Sequence, residues 1–208
     1  MRNDPFNALK SFDALLRDEF PGFSIIGTDE AGRGPLAGPV FAAAVCLPAE
    51  AFLFGVDDSK KLTAARRAEA AKLIEDEAVC FAVAMATPEE IDAINIRQAS
   101  LLAMRRACAM LCMGEAFVIV DGKDCLGHNF NSRAVVRGDS RSLSIASASI
   151  LAKVARDEYM ARLDEELPGY GFAKHKGYPT SQHYEAIRLL GPSSQHRLSF
   201  KGVLSISR

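Results

Sequence analysis

Residues 25 to 40 read Ile-Ile-Gly-Thr-Asp-Glu-Ala-Gly-Arg-Gly-Pro-Leu-Ala-Gly-Pro-Val. The apolar start, Ile25 and Ile26, predicts a buried strand, and that strand ends in two adjacent carboxylates, Asp29 and Glu30. Gly32, Arg33 and Gly34 follow almost at once. Glycine has no Cβ and tolerates positive φ, so a loop of this kind lets backbone approach a ligand closely. An acidic pair at a strand end, next to an arginine between two glycines, suggests a metal site beside a phosphate site.

The rest of the chain supplies further strand ends of the same kind. Ala116 to Val120 is apolar and runs into Asp121-Gly122, and a short strand, Ala134 to Val136, runs into Gly138-Asp139. Carboxylates far apart in sequence can meet at one edge of a sheet. Gathered there, Asp29, Glu30, Asp121 and Asp139 would repel one another unless cations neutralised them, and hard oxygen donors suit Mg²⁺ or Mn²⁺. Two such ions can activate a water and stabilise the leaving oxygen of an in-line phosphoryl displacement. One geometric difficulty stands out, since neighbouring residues on a regular strand point to opposite faces. Asp29 and Glu30 share a site only if the strand ends or twists there. Asp139 has a second reading as a helix N-cap, and Asp57, Asp58 and Asp124 are further acids that could lie nearby.

Periodicity outlines an α/β chain. Phe6, Leu9, Phe12, Leu15, Leu16 and Phe20 recur at helical spacing after Asp4-Pro5, and Pro21-Gly22 stops that helix. Val40 to Leu47 and Val79 to Ala86 read as strands, with a helix from about Thr63 to Glu77 between them. Thr87-Pro88-Glu89-Glu90 is a capping box, followed by a short helix and then a longer one from about Arg97 to Met113. Leu143 to about Leu167 is a long helix with a small-residue face, residues 170 to 179 a basic, aromatic loop, and Tyr184 to Leu190 a last helix. Strands early and helices late fit a mixed sheet flanked by helices, with a helical carboxy-terminal extension. One catalytic domain over residues 1 to 208 is expected, with an amino-terminal helix to about residue 22 and the extension from about residue 168.

Asp-Glu-Ala-Gly-Arg-Gly-Pro-Leu-Ala-Gly-Pro-Val resembles the signature of ribonuclease HII. Asp57-Asp58-Ser59-Lys60-Lys61-Leu62, Val120-Asp121-Gly122, Gly138-Asp139-Ser140, Ala148 to Val154, Tyr170-Gly171-Phe172, His175-Lys176-Gly177-Tyr178 and His196-Arg197-Leu198-Ser199-Phe200 resemble family blocks in family order. The resemblance implies a ribonuclease H-like fold and hydrolysis of RNA in RNA/DNA hybrids. It also implies cutting 5′ to single ribonucleotides in duplex DNA, with 3′-hydroxyl and 5′-phosphate ends. It assigns catalysis and metal binding to Asp29, Glu30, Asp121 and Asp139. Gly32-Arg33-Gly34 would grip the junction between ribonucleotide and DNA, and a carboxy-terminal tyrosine, matched to Tyr178 with Tyr170 as the rival, would read its DNA side. Lys60 is a candidate phosphate contact, with Lys61, Lys153, Arg137 and Arg141 as weaker ones. A DNA nuclease or resolvase on the same fold, and a silent hybrid-binding module, are the competing readings.

Charge distribution bears on the same question. Net charge is −1, but residues 1 to 122 carry 12 Lys/Arg against 18 Asp/Glu, and residues 123 to 208 carry 13 against 8. The basic half could face phosphates. The four histidines show no metal-ligand spacing, no Gly-x-Ser-x-Gly elbow appears, and the five cysteines form no zinc pattern. No run reaches the roughly 18 apolar residues of a membrane helix, and the amino-terminus lacks the apolar core of a secretory signal. A cytoplasmic monomer is expected. Whether Gln195 to Phe200 docks a partner such as a sliding clamp is left open, although the segment resembles a packing block more than a docking motif.

Overall fold

The structure, a computed structural model, describes residues 5–53, 62–111 and 114–204. Five strands, β1 (Ser24–Ala31), β2 (Val40–Cys46), β3 (Cys80–Ala86), β4 (Ala116–Asp121) and β5 (Ser132–Val135), form one sheet in the order β3-β2-β1-β4-β5. β1 pairs antiparallel with β2, and β2 with β3, whereas β1–β4 and β4–β5 are parallel. β2 shows no polar alternation because every residue in it is buried on both faces.

The helices are α1 (Pro5–Glu19), α2 (Ala64–Glu77), α3 (Pro88–Met110), α4 (Leu143–Glu166), α5 (Phe172–His175) and α6 (Ser181–Leu190). α3 covers one face, where Ile26, Ala42 and Ala44 meet Ala99, Ala103 and Met104. α4 covers the other with α2, where Ala43 and Val45 meet Ile74, Ala146 and Ile150. The expected break between a short and a longer helix falls inside α3 at Asn95, whose φ is 66°. Its Oδ1 accepts the Gln98 N–H at 3.1 Å and so caps the second half. The Thr87–Glu90 capping box forms as read.

α4 lies against β1 with almost nothing between them. A Cβ on Gly27 would fall 2.3 Å from the Ser144 carbonyl carbon, so only glycine fits. The helix start is fixed from above by α1. Buried Asp13 accepts the Ser144 N–H at 2.8 Å and its hydroxyl at 2.7 Å, placing a carboxylate at the positive end of the helix.

The carboxy-terminal segment clasps the loop after β1. Leu36 N–H donates to Gly177 O at 2.8 Å, Gly38 N–H to Gln195 O at 2.8 Å, and Ala37 bridges His196. Part of the stretch read as loop, Phe172–His175, is a single helical turn, bounded by left-handed Gly171 and Lys176. Gly27→Ala is expected to lower the unfolding free energy by about 3 kcal/mol in urea titration, because helix and strand backbones must separate to admit one methyl group.

Candidate active site

β1 stays paired with β2 as far as Ala31 but with β4 only as far as Thr28. Its last residues therefore have an open flank facing the end of β4, which is Asp121. Alternation does hold: Asp29 is on the α4 side, where Ser149 donates a hydrogen bond to it, and Glu30 is on the other. The strand does not end at the acidic pair. Loss of the β4 neighbour lets both side chains reach one cavity of about 280 Å³, which Asp121 also lines. Two larger cavities lie elsewhere, and neither is lined by more than one carboxylate.

Burial, then the charges of Glu30 and Asp121, hold the Asp29 carboxyl well above the usual range. Burial also raises Glu30, opposed by Arg33, whose Nη1 donates to Glu30 Oε1 at 3.2 Å. Asp121 accepts the Gly138 N–H at 2.6 Å. Asp139, the next residue, is buried in a 3-10 turn (Gly138–Ser140) but does not line the cavity. Nor is Asp139 the cap of α4; Ser142 is, its hydroxyl accepting the Ile145 N–H at 3.2 Å. The structure thus gathers Asp29, Glu30 and Asp121 and sets Asp139 one residue from the partner of Asp121.

Among the described residues no three His, Cys, Asp or Glu side chains stand close enough to cage a metal ion. The donor set still fits a hard divalent cation, because its oxygens carry like charges whose repulsion a cation would relieve. Asp124 is not part of this set: Arg97 grips it bidentately and holds its carboxyl below the usual range. Lys60, Lys61, Asp57 and Asp58 lie outside the described residues.

The Gly32 to Gly34 loop forms the next wall of the cavity, and Tyr178 closes it. Gly32 has φ +99°, and a Cβ there would meet Arg156 Nε at 2.1 Å. Gly34 faces the Tyr178 ring, with 3.6 Å between its Cβ position and Cε1. Tyr178 is 41% exposed. Tyr170 is buried on Phe172, its hydroxyl donating to Gly191 O at 2.8 Å. Lys153 reaches the cavity and pairs with Asp157 at 2.5 Å, whereas Arg141 lies over the Phe12 ring.

Four residues escaped the sequence reading as site elements. Ser149 and Arg67 line the cavity, and Arg156 and Arg197 lie buried under the loop. Arg197 donates from Nη2 to Gly32 O at 2.7 Å, from Nη1 to Arg33 O at 3.0 Å and from Nε to Gly38 O at 2.9 Å. Arg156 Nη2 donates to Lys176 O at 2.9 Å. Burial pushes the Arg197 guanidinium down to about 9. The spacing Ser149–Lys153–Arg156 on one helix face was the available signal; Arg197 falls in the His196 to Phe200 block, which marked the segment without giving the side chain a role, and for Arg67 none existed.

Three histidines cluster away from the carboxylates, around Phe172. Ser193 N–H donates to His196 Nδ1 at 2.9 Å, which makes His196 Nε2 the donor to His183 Nε2 at 3.1 Å. His183 Nδ1–H then donates to Tyr178 O at 3.0 Å. His175 accepts from Gly177 N–H and donates to Tyr170 O.

This strand order, with carboxylates at the ends of β1 and β4 and helices on both faces, defines a ribonuclease H-like α/β protein. The ribonuclease HII family model matches residues 26–203, and the chain belongs to that family: it is a ribonuclease H of the HII type, a phosphodiester hydrolase. It is 52% identical over 189 residues to ribonuclease HII of Nitrosococcus oceani, covering 91% of this chain and 94% of that one. Ribonuclease HII of Archaeoglobus fulgidus, solved in a PCNA:RNase HII complex, superposes with a TM-score of 0.74 at 27% identity, over 88% of this chain and 97% of that one. Bst-RNase HIII, solved in complex with Mn²⁺, superposes at 0.70 with 21% identity, over 93% and 72%. No helix among the described residues is long and apolar enough to cross a membrane.

Burial lowers both His183 and His196 to about 4. Folded-state values below the unfolded 6.5 mean that the unfolded chain binds protons the folded one refuses. Their contribution is intact above pH 6.5 and is lost as pH falls toward 4, by up to about 3 kcal/mol per imidazole. Thermal unfolding from pH 7.5 to 4.5 should therefore show a falling Tm, with a shallower fall in His183→Asn than in His128→Asn.

Proposed function

We propose that this chain is an endoribonuclease that hydrolyses the RNA strand of RNA/DNA hybrids and also cuts 5′ to single ribonucleotides embedded in duplex DNA. The products are 3′-hydroxyl and 5′-phosphate ends. The observation that carries this reading is the single cavity shared by Asp29, Glu30 and Asp121 with the glycine loop and Tyr178. Asp29, Glu30 and Asp121, with Asp139, would hold Mg²⁺ or Mn²⁺. Two bound ions would supply a hydroxide nucleophile and neutralise the developing charge on the leaving oxygen.

The chain's own residues then account for position and selectivity. Backbone groups of Gly32, Arg33 and Gly34 meet the 2′-hydroxyl, the group by which RNA differs from DNA. The Tyr178 ring, held beside Gly34, stacks on the sugar or base on the DNA side of the junction. Lys153, Arg67 and Arg33 give the cavity a cationic wall for the flanking phosphates, and Lys60 is a further phosphate contact. The carboxy-terminal segment completes the cavity that β1 begins, which supports reading the chain as one catalytic domain; action as a monomer in the cytoplasm is a further part of the proposal. Within Gln195 to Phe200, Tyr159 donates to Gln195, His196 and Arg197 are buried, and Asp92 takes the amides of Leu198 and Ser199, whose side chains are exposed.

Incubation with Mg²⁺ or Mn²⁺ and a duplex carrying one ribonucleotide, beside an all-DNA control, tests the reading. Only the first duplex should be cut, with loss in chelator and recovery on adding metal; cutting of both would make this a DNA nuclease. Asp29→Asn should reduce cutting by roughly a thousandfold, several kcal/mol of transition-state stabilisation, and leave duplex binding in place. Tyr178→Ala should slow embedded-ribonucleotide cutting roughly tenfold, the worth of one stacking contact. Asp124→Ala should change it little, and equal effects of the two would remove Tyr178 from the site.

A further inference from the structure

Arg197 is fully buried, and among the described residues its guanidinium meets no carboxylate. All three of its hydrogen-bonded nitrogens go to backbone carbonyls of the loop after β1, on Gly32, Arg33 and Gly38. Its own N–H donates to Leu36 O at 2.8 Å. Asp92 favours the charge electrostatically but forms no ion pair with it, and a buried charge without a direct ion pair is a costly way to hold a turn, where an apolar side chain would fill the same space more cheaply. What the guanidinium does that an apolar group cannot is fix the direction of two consecutive peptide units.

A peptide unit is planar and trans, so its C=O and the following N–H point opposite ways. With Gly32 O and Arg33 O both turned inward onto Arg197, the N–H groups of Arg33 and Gly34 are turned outward. Those two residues are exposed and line the cavity beside Glu30 and Tyr178. Among the described residues neither amide has a partner. Two adjacent outward amides make a concave donor pair suited to an oxygen acceptor.

We propose that Arg197 is a positioning residue for ribonucleotide recognition: it holds the loop carbonyls inward and so presents the Arg33 and Gly34 amides to an acceptor oxygen of the substrate. The inference rests on the reading of Gly32 to Gly34 as the ribonucleotide contact. The acceptor is either the 2′-hydroxyl oxygen or an oxygen of the adjoining phosphate, and the substrate series below separates them.

The test uses the full chain carrying Asp29→Asn, so that binding is read without cutting. Affinity is measured by fluorescence anisotropy for three duplexes: one ribonucleotide, all DNA, and one ribonucleotide with a methylphosphonate at the adjoining linkage. Arg197→Met should reduce the preference for the ribonucleotide duplex over DNA roughly tenfold, the loss expected of one or two amide hydrogen bonds. Affinity for all-DNA duplex should hardly change, and Arg197→Lys, which keeps the charge but not the fork, should fall between. If Arg197→Met does not fold, Arg197→Lys is read the same way. If the preference of the parent protein survives methylphosphonate substitution and the variants erase it, the acceptor is the hydroxyl; if the substitution itself erases it, the acceptor is the phosphate.

Equal weakening for all duplexes, or a lowered Tm with the preference intact, makes Arg197 a structural residue only and overturns the proposal. Amide ¹⁵N–¹H spectra give a readout independent of substrate. The Arg33 and Gly34 resonances should move in Arg197→Lys while those of β2 and β3 stay; if they stay too, Arg197 does not set the loop. Should those resonances move while the parent protein shows no ribonucleotide preference, the positioning stands and the assignment of the loop as ribonucleotide contact fails.

Discussion

The contact of the first half of α4 with β1 and the glycine that follows it sets the geometry of everything else. Gly27 meets residues 144 and 145, Asp29 meets Ser149, and Gly32 meets Arg156. A strand advances about 3.3 Å per residue and a helix about 1.5 Å. Two strand residues thus match four or five helical ones, and three match seven, which is the spacing seen. Because strand and helix keep step, a hydroxyl arrives beside the first carboxylate and a guanidinium beneath the glycine loop. The missing Cβ at position 27 starts this register, and the Asp13 cap on the helix start holds it.

Electrostatics at the site follow from that placement. Asp29 and Glu30 come together beside Asp121, and burial with the charge of neighbouring acids opposes ionisation of the first two. Directly behind them, two buried arginines are spent on backbone carbonyls rather than on these acids. Of the cations that line the cavity, Arg33 reaches Glu30, whereas Arg67 and Lys153 pair with Asp157. The proposed reading, a site that holds cations against a polyanion, draws on that separation.

Much of this was readable in the chain because it is local. β1, β2, the Thr87 capping box and the stop after Leu167 follow from adjacent residues, and so does the acidic pair. The manner in which Asp29 and Glu30 share a cavity was not readable, since it depends on where β4 stops pairing. The roles of Arg197 and Arg67 were hidden too: Arg197 reaches the glycine loop across 165 positions, and the block around it shows only that the segment matters, not what the guanidinium holds. The turn Phe172–His175 was read as loop because four residues carry no periodicity. The break between the short helix and the longer one was expected just before Arg97, but that Asn95 makes it, by turning left-handed, came only from the structure.

The histidine cluster has a consequence for which ions the protein tolerates. Imidazole is a favoured ligand for zinc, copper and nickel, and three clustered rings would ordinarily invite them. Here each ring's lone pair already accepts a hydrogen bond, from Ser193, His196 or Gly177. Borderline-soft ions find no free nitrogen in that core without breaking the chain of protons that ends on Tyr178. The three imidazoles of the cluster are thereby committed to holding the carboxy-terminal segment, and the proposed cation site, whose lining holds no histidine or cysteine, is left to oxygen donors at the sheet edge.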